Sequence, residues 1–362
     1  NLMIQIGILK SSNKAPLGVT PNIIKKWPTD TISFLIEKQA GLLAHFSDDQ
    51  YLNEGANLVS RTEVLKQVNL LVISDALTDQ DLEMLPVDTL IVGLLNPHNN
   101  KEFTAKLKKR SQKVFALEML PRTSLAQSMD VLSAMASLAG YKSVILAANH
   151  FAGYFPMLTT AAGTVPPAKV LILGAGVAGL QAIATAKRLG AVVEAFDVRK
   201  AVKEEVESLG AKFIMVAGMQ SDVDTGGYAV VQKEETLAAQ RELIHQKVVK
   251  ADIVITTASI PGKAAPKLIE EATVDAMKPG AVIIDLAAAS GGNCELTKNG
   301  EALNHSGVTI IGDSQLAYSL TQEASKLFSV NIYNFITHLL KAGLNTIDFE
   351  DEIVKSTFIG KN

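Results

Sequence analysis

The sequence predicts an α/β protein with two domains, each a parallel sheet flanked by helices, and a cleft between them. Three observations support this fold class. Short apolar runs alternate with polar, helix-compatible stretches along most of the chain. Residues 169–199 read as a single strand-turn-helix-strand unit with regularly spaced glycines. The length of 362 residues suits two domains at about 150 residues each.

The first third of the chain contains five apolar runs that are typical of buried strands. They lie at Ile4 to Leu9, Ile32 to Ile36, Leu70 to Ile73, Thr89 to Leu94 and Val114 to Leu117. Polar stretches that could form helices separate them, such as Glu102 to Gln112. This part has no glycine fingerprint. We therefore expect a second α/β domain here that need not bind a nucleotide itself.

A long helix is expected to follow Pro121, which ends the preceding strand, and to continue to about Phe151. Thr123 or Ser124 can cap its first turn. Three polar residues spaced by three would lie on one face of this helix: Gln127, Asp130 and Ser133. Three apolar residues off that arc are expected to pack in the core: Met129, Leu132 and Met135.

The unit at 169–199 has the pattern of a dinucleotide-binding turn. Val170 to Leu173 forms a strand that enters Gly174-x-Gly176-x-x-Gly179, and a helix of small residues continues to Leu189. In such a turn the first glycine makes the tight bend, the second lets the backbone approach the pyrophosphate, and the third lets helix and strand pack closely. The helix N-terminus then faces the phosphates with unpaired N–H groups. Because strands and helices alternate in both halves of the chain, both domains are predicted to be Rossmann-like.

Asp197, at the end of the second strand, selects the cofactor. A carboxylate there accepts hydrogen bonds from the adenosine ribose and repels a 2′-phosphate, which favours NAD over NADP. Arg199 leaves three alternatives: tolerance of a 2′-phosphate, stacking on adenine, or a surface ion pair, of which the last two are preferred.

The second sheet is expected to continue with Lys212 to Val216, Ile253 to Thr256, Val282 to Leu286 and Val308 to Ile311. The loop Ala217 to Gly227 is long enough to be a lid over a ligand or a disordered insertion. A helix from about Gln315 to Leu340 and a strand at Thr346 to Ile353 are expected to return to the first domain. The expected domains are 1–125 with 319–362, and 126–318.

Composition excludes several classes of function. The net charge is −3 and the pI near 6.1, without a dense basic block, which disfavours nucleic acid and anionic membranes as partners. Cys294 is the single cysteine, so the chain has no internal disulfide and no multi-cysteine metal site. The histidines lack metal-ligand spacing. No secretory signal is expected, and the most apolar stretches are interrupted by Lys142, His150 and Asp285, which predicts a soluble chain or the extrinsic part of a larger assembly.

Several motifs between residues 115 and 300 resemble the NAD(H)-binding component of proton-translocating NAD(P) transhydrogenases, relatives of alanine dehydrogenase. They are Pro121-Arg122-x-Ser124-x-Ala126-Gln127-Ser128, Ala161 to Pro167, the glycine turn with Asp197-Val198-Arg199, Gly226-Gly227-Tyr228, Thr256 to Lys263, and Gly291 to Cys294. The resemblance implies a homodimeric subunit extrinsic to the cytoplasmic face of the membrane. It would hold NADH so that hydride passes to NADP⁺ on a separate component, coupled to proton movement through a membrane component.

The resemblance also implies site residues. Arg122, Gln127, Asp130 and Ser133 would surround the nicotinamide, an environment that suits the donors and acceptor of its carboxamide. Arg122 and Asp130 could instead form a structural ion pair between the domains. Further cofactor contacts are implied at Thr123, Ser124, Ala175, Val177, Val198, Gln240 and Ser259, and at Gly227 and Tyr228 in the loop that would close over the cofactor.

The chain departs from the family at positions that matter for substrate. Ser11 to Gly18 lacks the usual charged residues, Ser74 follows the third strand where a lysine is common, and Leu125 replaces a common arginine. An alanine dehydrogenase needs a cation for the carboxylate of pyruvate and a histidine to transfer a proton. His98 lies near the expected histidine but could equally be a turn residue. Transfer of a hydride between two nicotinamides needs no acid or base, so the sequence favours a transhydrogenase over an alanine-dehydrogenase-like enzyme or a non-catalytic NAD sensor.

Overall fold

A computed structural model describes residues 3–11, 13–216 and 234–360. The chain forms two compact units, Asn1–Met135 with Tyr318–Asn362, and Ala136–Ala317. The sequence placed the first boundary ten residues earlier, after 125. Residues 126–135 belong to the first unit because a long helix of that unit holds them: the side-chain amides of Asn331 and Asn334 both donate to the Ser128 carbonyl, at 3.0 and 2.9 Å.

The first unit contains a six-stranded parallel sheet in the order β3-β2-β1-β4-β5-β6. Its strands are β1 Ile4–Ile8, β2 Ile32–Glu37, β3 Asn57–Val59, β4 Leu70–Ile73, β5 Leu90–Gly93 and β6 Val114–Ala116. The α-helices up to residue 150 are α1 Pro21–Ile24, α2 Asp48–Asn53, α3 Arg61–Gln67, α4 Asp79–Met84, α5 Lys101–Lys109 and α6 Val131–His150. The chain passes into the second unit within α6.

Local sequence explains these elements. Every residue of β4 and β5 is buried, which is why both strands are continuous apolar runs rather than alternating ones. Capping boxes begin three of the helices: Ser47 caps α2, Ser60 caps α3 and Thr78 caps α4.

The second unit contains a sheet with the same winding and one added strand. Its elements are the hairpin β7 Leu158–Thr160 and β8 Gly163–Val165, and β9 Lys169–Leu173, α7 Val177–Arg188, β10 Val192–Phe196, α8 Lys203–Ser208, β11 Lys212–Ile214, α9 Glu234–Lys250, β12 Ile253–Thr256, α10 Glu271–Asp275, β13 Val282–Asp285, β14 Glu301–His305 and β15 Val308–Gly312. The order is β11-β10-β9-β12-β13-β15-β14, with β14 antiparallel and the others parallel.

Side chains of β9 alternate between two buried clusters, one on each face of this sheet. Val170 and Ile172 pack with residues of α6 and α7, while Leu171 and Leu173 pack with residues of α9. Both faces of the sheet are therefore covered, as the predicted fold class requires.

The chain returns to the first unit through α11 Thr321–Leu339 and α12 Glu352–Thr357. The expected strand at Thr346 to Ile353 is wrong: its last residues begin α12, and the link to the sheet is a single bridge between Phe358 and Phe115. The rings of Phe358 and Phe115 are also in contact, tilted by 44° with centroids 5.5 Å apart. Short 3₁₀ helices lie at Leu42–Ala44, Leu117–Met119, Ala126–Met129, Lys200–Val202, Ala288–Ser290 and Leu316–Ser319.

The start of α6 differs from the expectation. Neither Thr123 nor Ser124 caps it; the helix begins at Val131, and Asp130 is its N-cap, with a hydrogen bond of 3.0 Å from the Ser133 N–H. Leu132 was expected in the core but its side chain is 55% exposed. Met129 and Met135 are buried as predicted.

The helix α6 passes a test for membrane spans that was not expected of it, because Lys142 and His150 interrupt its apolar residues. It is 20 residues long, with a mean hydropathy of 1.5 and only 33% of its most apolar window buried, so by length and composition it could span a membrane. Within the described ranges it is the single helix that passes this test, and helices of soluble proteins pass it too.

Candidate dinucleotide site

The predicted glycine turn lies between β9 and α7, at the carboxyl edge of the second sheet. The Gly174 N–H donates to the Phe196 carbonyl at 2.8 Å, which joins the turn to the end of β10. Gly174 has a φ of +104°, and a Cβ there would lie 2.5 Å from Thr257 Oγ1. Only glycine satisfies both the conformation and the contact.

Gly176 and Gly179 occupy opposite environments in this turn. A Cβ on Gly179 would lie 1.8 Å from the Gly174 carbonyl oxygen, so its absence lets α7 pack against the turn. A Cβ on Gly176 would meet nothing nearer than a guanidinium nitrogen of Arg199 at 4.0 Å. Gly176 is the N-cap of α7, and no side chain caps that helix, so its first N–H groups face an approachable surface. These residues fit a pyrophosphate.

Asp197 lies directly beside this turn and is buried, with an exposed fraction of 8%. The Ala175 N–H donates to its Oδ2 at 2.8 Å, so the carboxylate is tied to the turn. Arg199 contributes three more donors: its backbone N–H and Nε to Oδ1, at 2.8 and 3.0 Å, and a terminal guanidinium nitrogen to Oδ2 at 2.9 Å. The structure thus brings together the predicted Gly174, Ala175, Gly176, Val177, Asp197 and Arg199.

The loop after β12 forms the neighbouring part of this edge, because β12 pairs directly with β9. Thr257 Oγ1 donates to the Gly174 carbonyl at 2.9 Å. The buried Asn293 side chain holds the loop at Ala258, donating to its carbonyl at 2.8 Å and accepting from its N–H at 3.0 Å. The chain winds in opposite directions from β9 and β12, and α/β sheets bind ligands at such a switch point.

Asp285 is a positioning residue that sequence reasoning did not single out. Its fully buried carboxylate accepts from the N–H groups of Asn293 and Cys294, at 2.8 and 3.0 Å, and from the Thr297 hydroxyl at 2.6 Å. A carboxylate that ends a buried strand, as Asp285 does in β13, is the available sequence signal. Burial also raises the pKa of the Cys294 thiol to about 11, so this cysteine packs in the core as a neutral thiol.

The other predicted residues of the second unit vary in placement. Val198 is partly buried against the core, Gln240 is buried on α9, and Ser259 is exposed on the loop after β12. Gly227 and Tyr228 lie outside the described residues, as does the whole candidate lid.

In the first unit, the residues of the segment 122–133 occupy three local structures rather than one helix face. Gln127 is exposed in the 3₁₀ helix Ala126–Met129, Asp130 is extended, and Ser133 lies in the first turn of α6. Of the predicted group, Asp130 and Ser133 are in contact, with the Ser133 hydroxyl donating to Asp130 Oδ2 at 2.5 Å. Arg122 and Ser124 are exposed, and Thr123 Oγ1 accepts from the Ala126 N–H at 3.4 Å.

The first sheet has its own switch point, between β1 and β4, where an arginine is paired with two carboxylates. The Arg61 guanidinium binds Asp81 at 2.8 Å and Glu37 at 3.0 Å. The hydrogen bond from Arg61 holds the pKa of Asp81 below its usual value. A small pocket beside them is lined by Lys10, Ser11 and Asp75 among others, and the Ser11 hydroxyl donates to the Asp75 carboxylate. Among the described residues, no group of three or more histidine, cysteine, aspartate or glutamate side chains could hold a metal ion.

These features define a class: a doubly wound α/β protein of two units, one of which carries a glycine turn of the dinucleotide-binding type with a buried carboxylate beside it. Models of the alanine dehydrogenase/PNT family match nearly all of the chain, the N-terminal domain at residues 11–139 and the C-terminal domain at 143–362. The chain therefore belongs to this family.

Individual relatives divide into near and distant ones. The chain is 43% identical over 357 residues to an NAD(P) transhydrogenase subunit alpha chain of Rhodospirillum rubrum, covering 96% of this chain and 93% of that protein. A crystal structure of transhydrogenase from Sinorhizobium meliloti matches with a TM-score of 0.89 and 38% identity, over 98% and 97% of the two chains. Alanine dehydrogenase of Staphylococcus epidermidis is 28% identical, over 81% of this chain and 75% of the relative.

Proposed function

We propose that this chain is the NAD(H)-binding component of a proton-translocating, Si-/Re-specific NAD(P) transhydrogenase. It would present NADH to NADP⁺ bound on a separate component. Two findings support the proposal: the near relatives are transhydrogenase alpha subunits, whereas alanine dehydrogenase is a distant relative. The observation that carries it is the turn at Gly176, which has open space where a Cβ would be, beside a buried Asp197, at the switch point of the second sheet.

The second unit would bind the adenosine end of the cofactor. The first N–H groups of α7 would receive the pyrophosphate, and Asp197 would accept hydrogen bonds from the ribose. Val198, Gln240 and Ser259 remain proposed contacts, and Gly227 and Tyr228 remain proposed members of a closing loop.

The segment from Arg122 to Ser133 would contact the nicotinamide. Hydride transfer between two nicotinamide C4 atoms leaves no proton to be moved by the protein, so orientation is what the residues supply. Asp130 is already oriented by its bonds from the Ser133 N–H and hydroxyl. Arg122 and Gln127 are exposed on the same segment and could reach a ligand.

The partners would be the NADP(H)-binding component and a proton-conducting membrane component, with this subunit extrinsic on the cytoplasmic face. We also propose a homodimer. Exposed apolar side chains support it: Leu132 and Tyr141 on α6, and the hairpin β7–β8 with its neighbour Met157, whose side chain is 64% exposed. Burial of such surfaces against a second copy would remove apolar area from water.

Reconstitution with the NADP(H)-binding component tests the function directly. We expect hydride transfer from NADH to an NADP⁺ analogue, and no loss of NADH absorbance with pyruvate and ammonium in the absence of the partner. The reverse result would indicate an alanine-dehydrogenase-like enzyme. NADH binding without transfer in the presence of the partner would indicate a sensor.

Asp130→Asn tests the nicotinamide assignment, since asparagine caps a helix as well as aspartate does. We expect this variant to keep its thermal stability and to lose at least about tenfold in the rate of hydride transfer, the size of one charge-assisted hydrogen bond. Asp130→Ala should also remove the helix cap, which should lower the free energy of unfolding by about 1 kcal/mol. The control is Asp351→Asn, the same change at the N-cap of α12, which should leave the transfer rate unchanged. Wild-type transfer by Asp130→Asn would show that Asp130 does not act at the nicotinamide.

A further inference from the structure

The carboxylate that is proposed to receive the ribose is fully engaged by the protein itself. A carboxylate offers about four lone-pair positions. Asp197 accepts four hydrogen bonds, from the Ala175 N–H, the Arg199 N–H, and two nitrogens of the Arg199 side chain, at distances of 2.8 to 3.0 Å. A ribose hydroxyl would be a fifth donor, so one of the present donors has to leave.

The Arg199 side chain is the donor that can leave. The two backbone donors are fixed in place by the glycine turn and by the end of β10, and they orient the carboxylate. The guanidinium is on the solvent side, with 26% of the Arg199 side chain exposed against 6% for Asp197. It also borders the phosphate turn, because one of its nitrogens lies 4.0 Å from where a Cβ of Gly176 would be.

We propose that Arg199 is an internal competitor for the adenosine ribose, and so a determinant of how strongly Asp197 contributes to cofactor binding. The ribose hydroxyls can donate hydrogen bonds to the Asp197 carboxylate only after the guanidinium of Arg199 has moved away from it. Part of the hydrogen-bond energy of the ribose is then offset by the lost Asp197–Arg199 pair. This inference rests on the proposed function, because it assumes that the turn binds NAD(H).

The sign of the overall affinity change does not test this idea, since loss of Arg199 also removes a positive charge near the pyrophosphate. A comparison of ADP with 2′-deoxy-ADP cancels that effect, because the two ligands carry the same phosphates. For each variant, the ratio of their dissociation constants measures the contribution of the 2′-hydroxyl alone.

The experiment measures this ratio by calorimetry on the whole chain. In the wild type we expect 2′-deoxy-ADP to bind less than about threefold more weakly than ADP, because the hydroxyl must displace Arg199. In Arg199→Ala the difference should exceed about tenfold, the size of a hydrogen bond to a charged acceptor. Arg199→Lys, whose compact ammonium cannot form the planar fork on both oxygens, should give an intermediate ratio.

Lys200→Ala is the matched control. Lys200 is exposed in the next position, and its removal lowers the local positive charge without touching Asp197. The ratio of the dissociation constants of 2′-deoxy-ADP and ADP should be the same in Lys200→Ala as in the wild type. Equal ratios in wild type and Arg199→Ala, in variants with unchanged thermal stability, would overturn the proposal. A wild-type chain that binds neither NADH nor ADP would instead show that the proposed function itself is wrong.

Discussion

Gly176 and Gly179 are three residues apart, yet they are glycines for different reasons. Gly176 has an ordinary φ of −77° and space around its Cα, so the fold would tolerate a side chain. Gly179 has no such space, because a Cβ would penetrate the Gly174 carbonyl. The fold therefore requires the second glycine but not the first, which leaves the first for the proposed ligand; the spacing of the motif alone does not make this distinction.

Alanine at each glycine should separate these two roles. Gly179→Ala should lower the free energy of unfolding by about 1–3 kcal/mol, the usual cost of overpacking a tight contact. The free energy of unfolding of Gly176→Ala should lie within about 0.5 kcal/mol of the wild-type value. This variant should bind NADH at least about tenfold more weakly, because its methyl group would occupy the space through which the pyrophosphate approaches the backbone. Urea unfolding and NADH fluorescence titration measure the two quantities. Equal effects of both changes on stability would contradict this assignment.

The residues of this site were predictable to different degrees. The glycines and Asp197 follow from a local motif, whereas the sequence left three alternatives for Arg199, of which the structure shows an ion pair, with Asp197. Asp285 and Asn293 could not be assigned in the same way. Their roles depend on strands β12 and β13 being neighbours, which is a property of sheet order and not of local sequence.

At the scale of elements, the strands were easier to predict than the ends of helices. The runs at Leu70–Ile73 and Ile253–Thr256 match the observed strands to the residue, because a strand buried on both faces is a nearly continuous apolar run. The predicted start of α6 was wrong because several residues near it have side chains that can cap a helix. Asn331 and Asn334, some two hundred residues away in sequence, hydrogen-bond to the segment before Asp130 and fix its conformation. These contacts therefore determine that Asp130 is the residue that caps α6.

The helix α12 depends on its own cap in a way that pH should reveal. Asp351 accepts from the N–H groups of Ile353 and Val354, and its carboxylate is 2.8 Å from Lys341 and 2.9 Å from His338. Burial alone would raise the pKa of Asp351, but the hydrogen bonds from Lys341 and His338 outweigh it and hold that pKa well below its usual value. The charged form is therefore the stabilising one.

Asp351→Asn should lower the free energy of unfolding at neutral pH by roughly 0.5–1 kcal/mol, since asparagine keeps the cap but loses the ion pairs. A depressed pKa stabilises the fold above the unfolded-state pKa of about 4, and this contribution is lost as the pH falls through the folded-state value. The difference in the free energy of unfolding between the variant and the wild type should thus become smaller below about pH 4. Denaturant titrations at several pH values measure it, and a gap independent of pH would show that the charge of Asp351 does not contribute.

At the scale of the whole molecule, two sheets with the same winding carry different residues at their switch points. The second sheet has a glycine turn and the buried carboxylate of Asp197 at its switch point. At the first sheet's switch point Arg61 is held by Glu37 and Asp81, and Asp75 adds negative charge beside it. Arg61 is therefore engaged by two carboxylates, whereas an alanine dehydrogenase needs a cation for the carboxylate of pyruvate.

This difference predicts how the rate of the chemical step depends on pH. An enzyme that reduces an imine or a ketone must also move a proton, so its rate follows the ionisation of an acid or base and gives a bell-shaped profile. Transfer of hydride from NADH to NADP⁺ moves no proton, so the single-turnover rate on the isolated soluble components should vary by less than about threefold between about pH 6 and 9. Rapid mixing of this chain, loaded with NADH, with the partner loaded with an NADP⁺ analogue measures that rate, while NADH fluorescence at each pH verifies that binding is saturated. A tenfold change per pH unit under saturating conditions would mean that a titrating group takes part in the reaction, and the alanine-dehydrogenase-like mechanism would then be the better description.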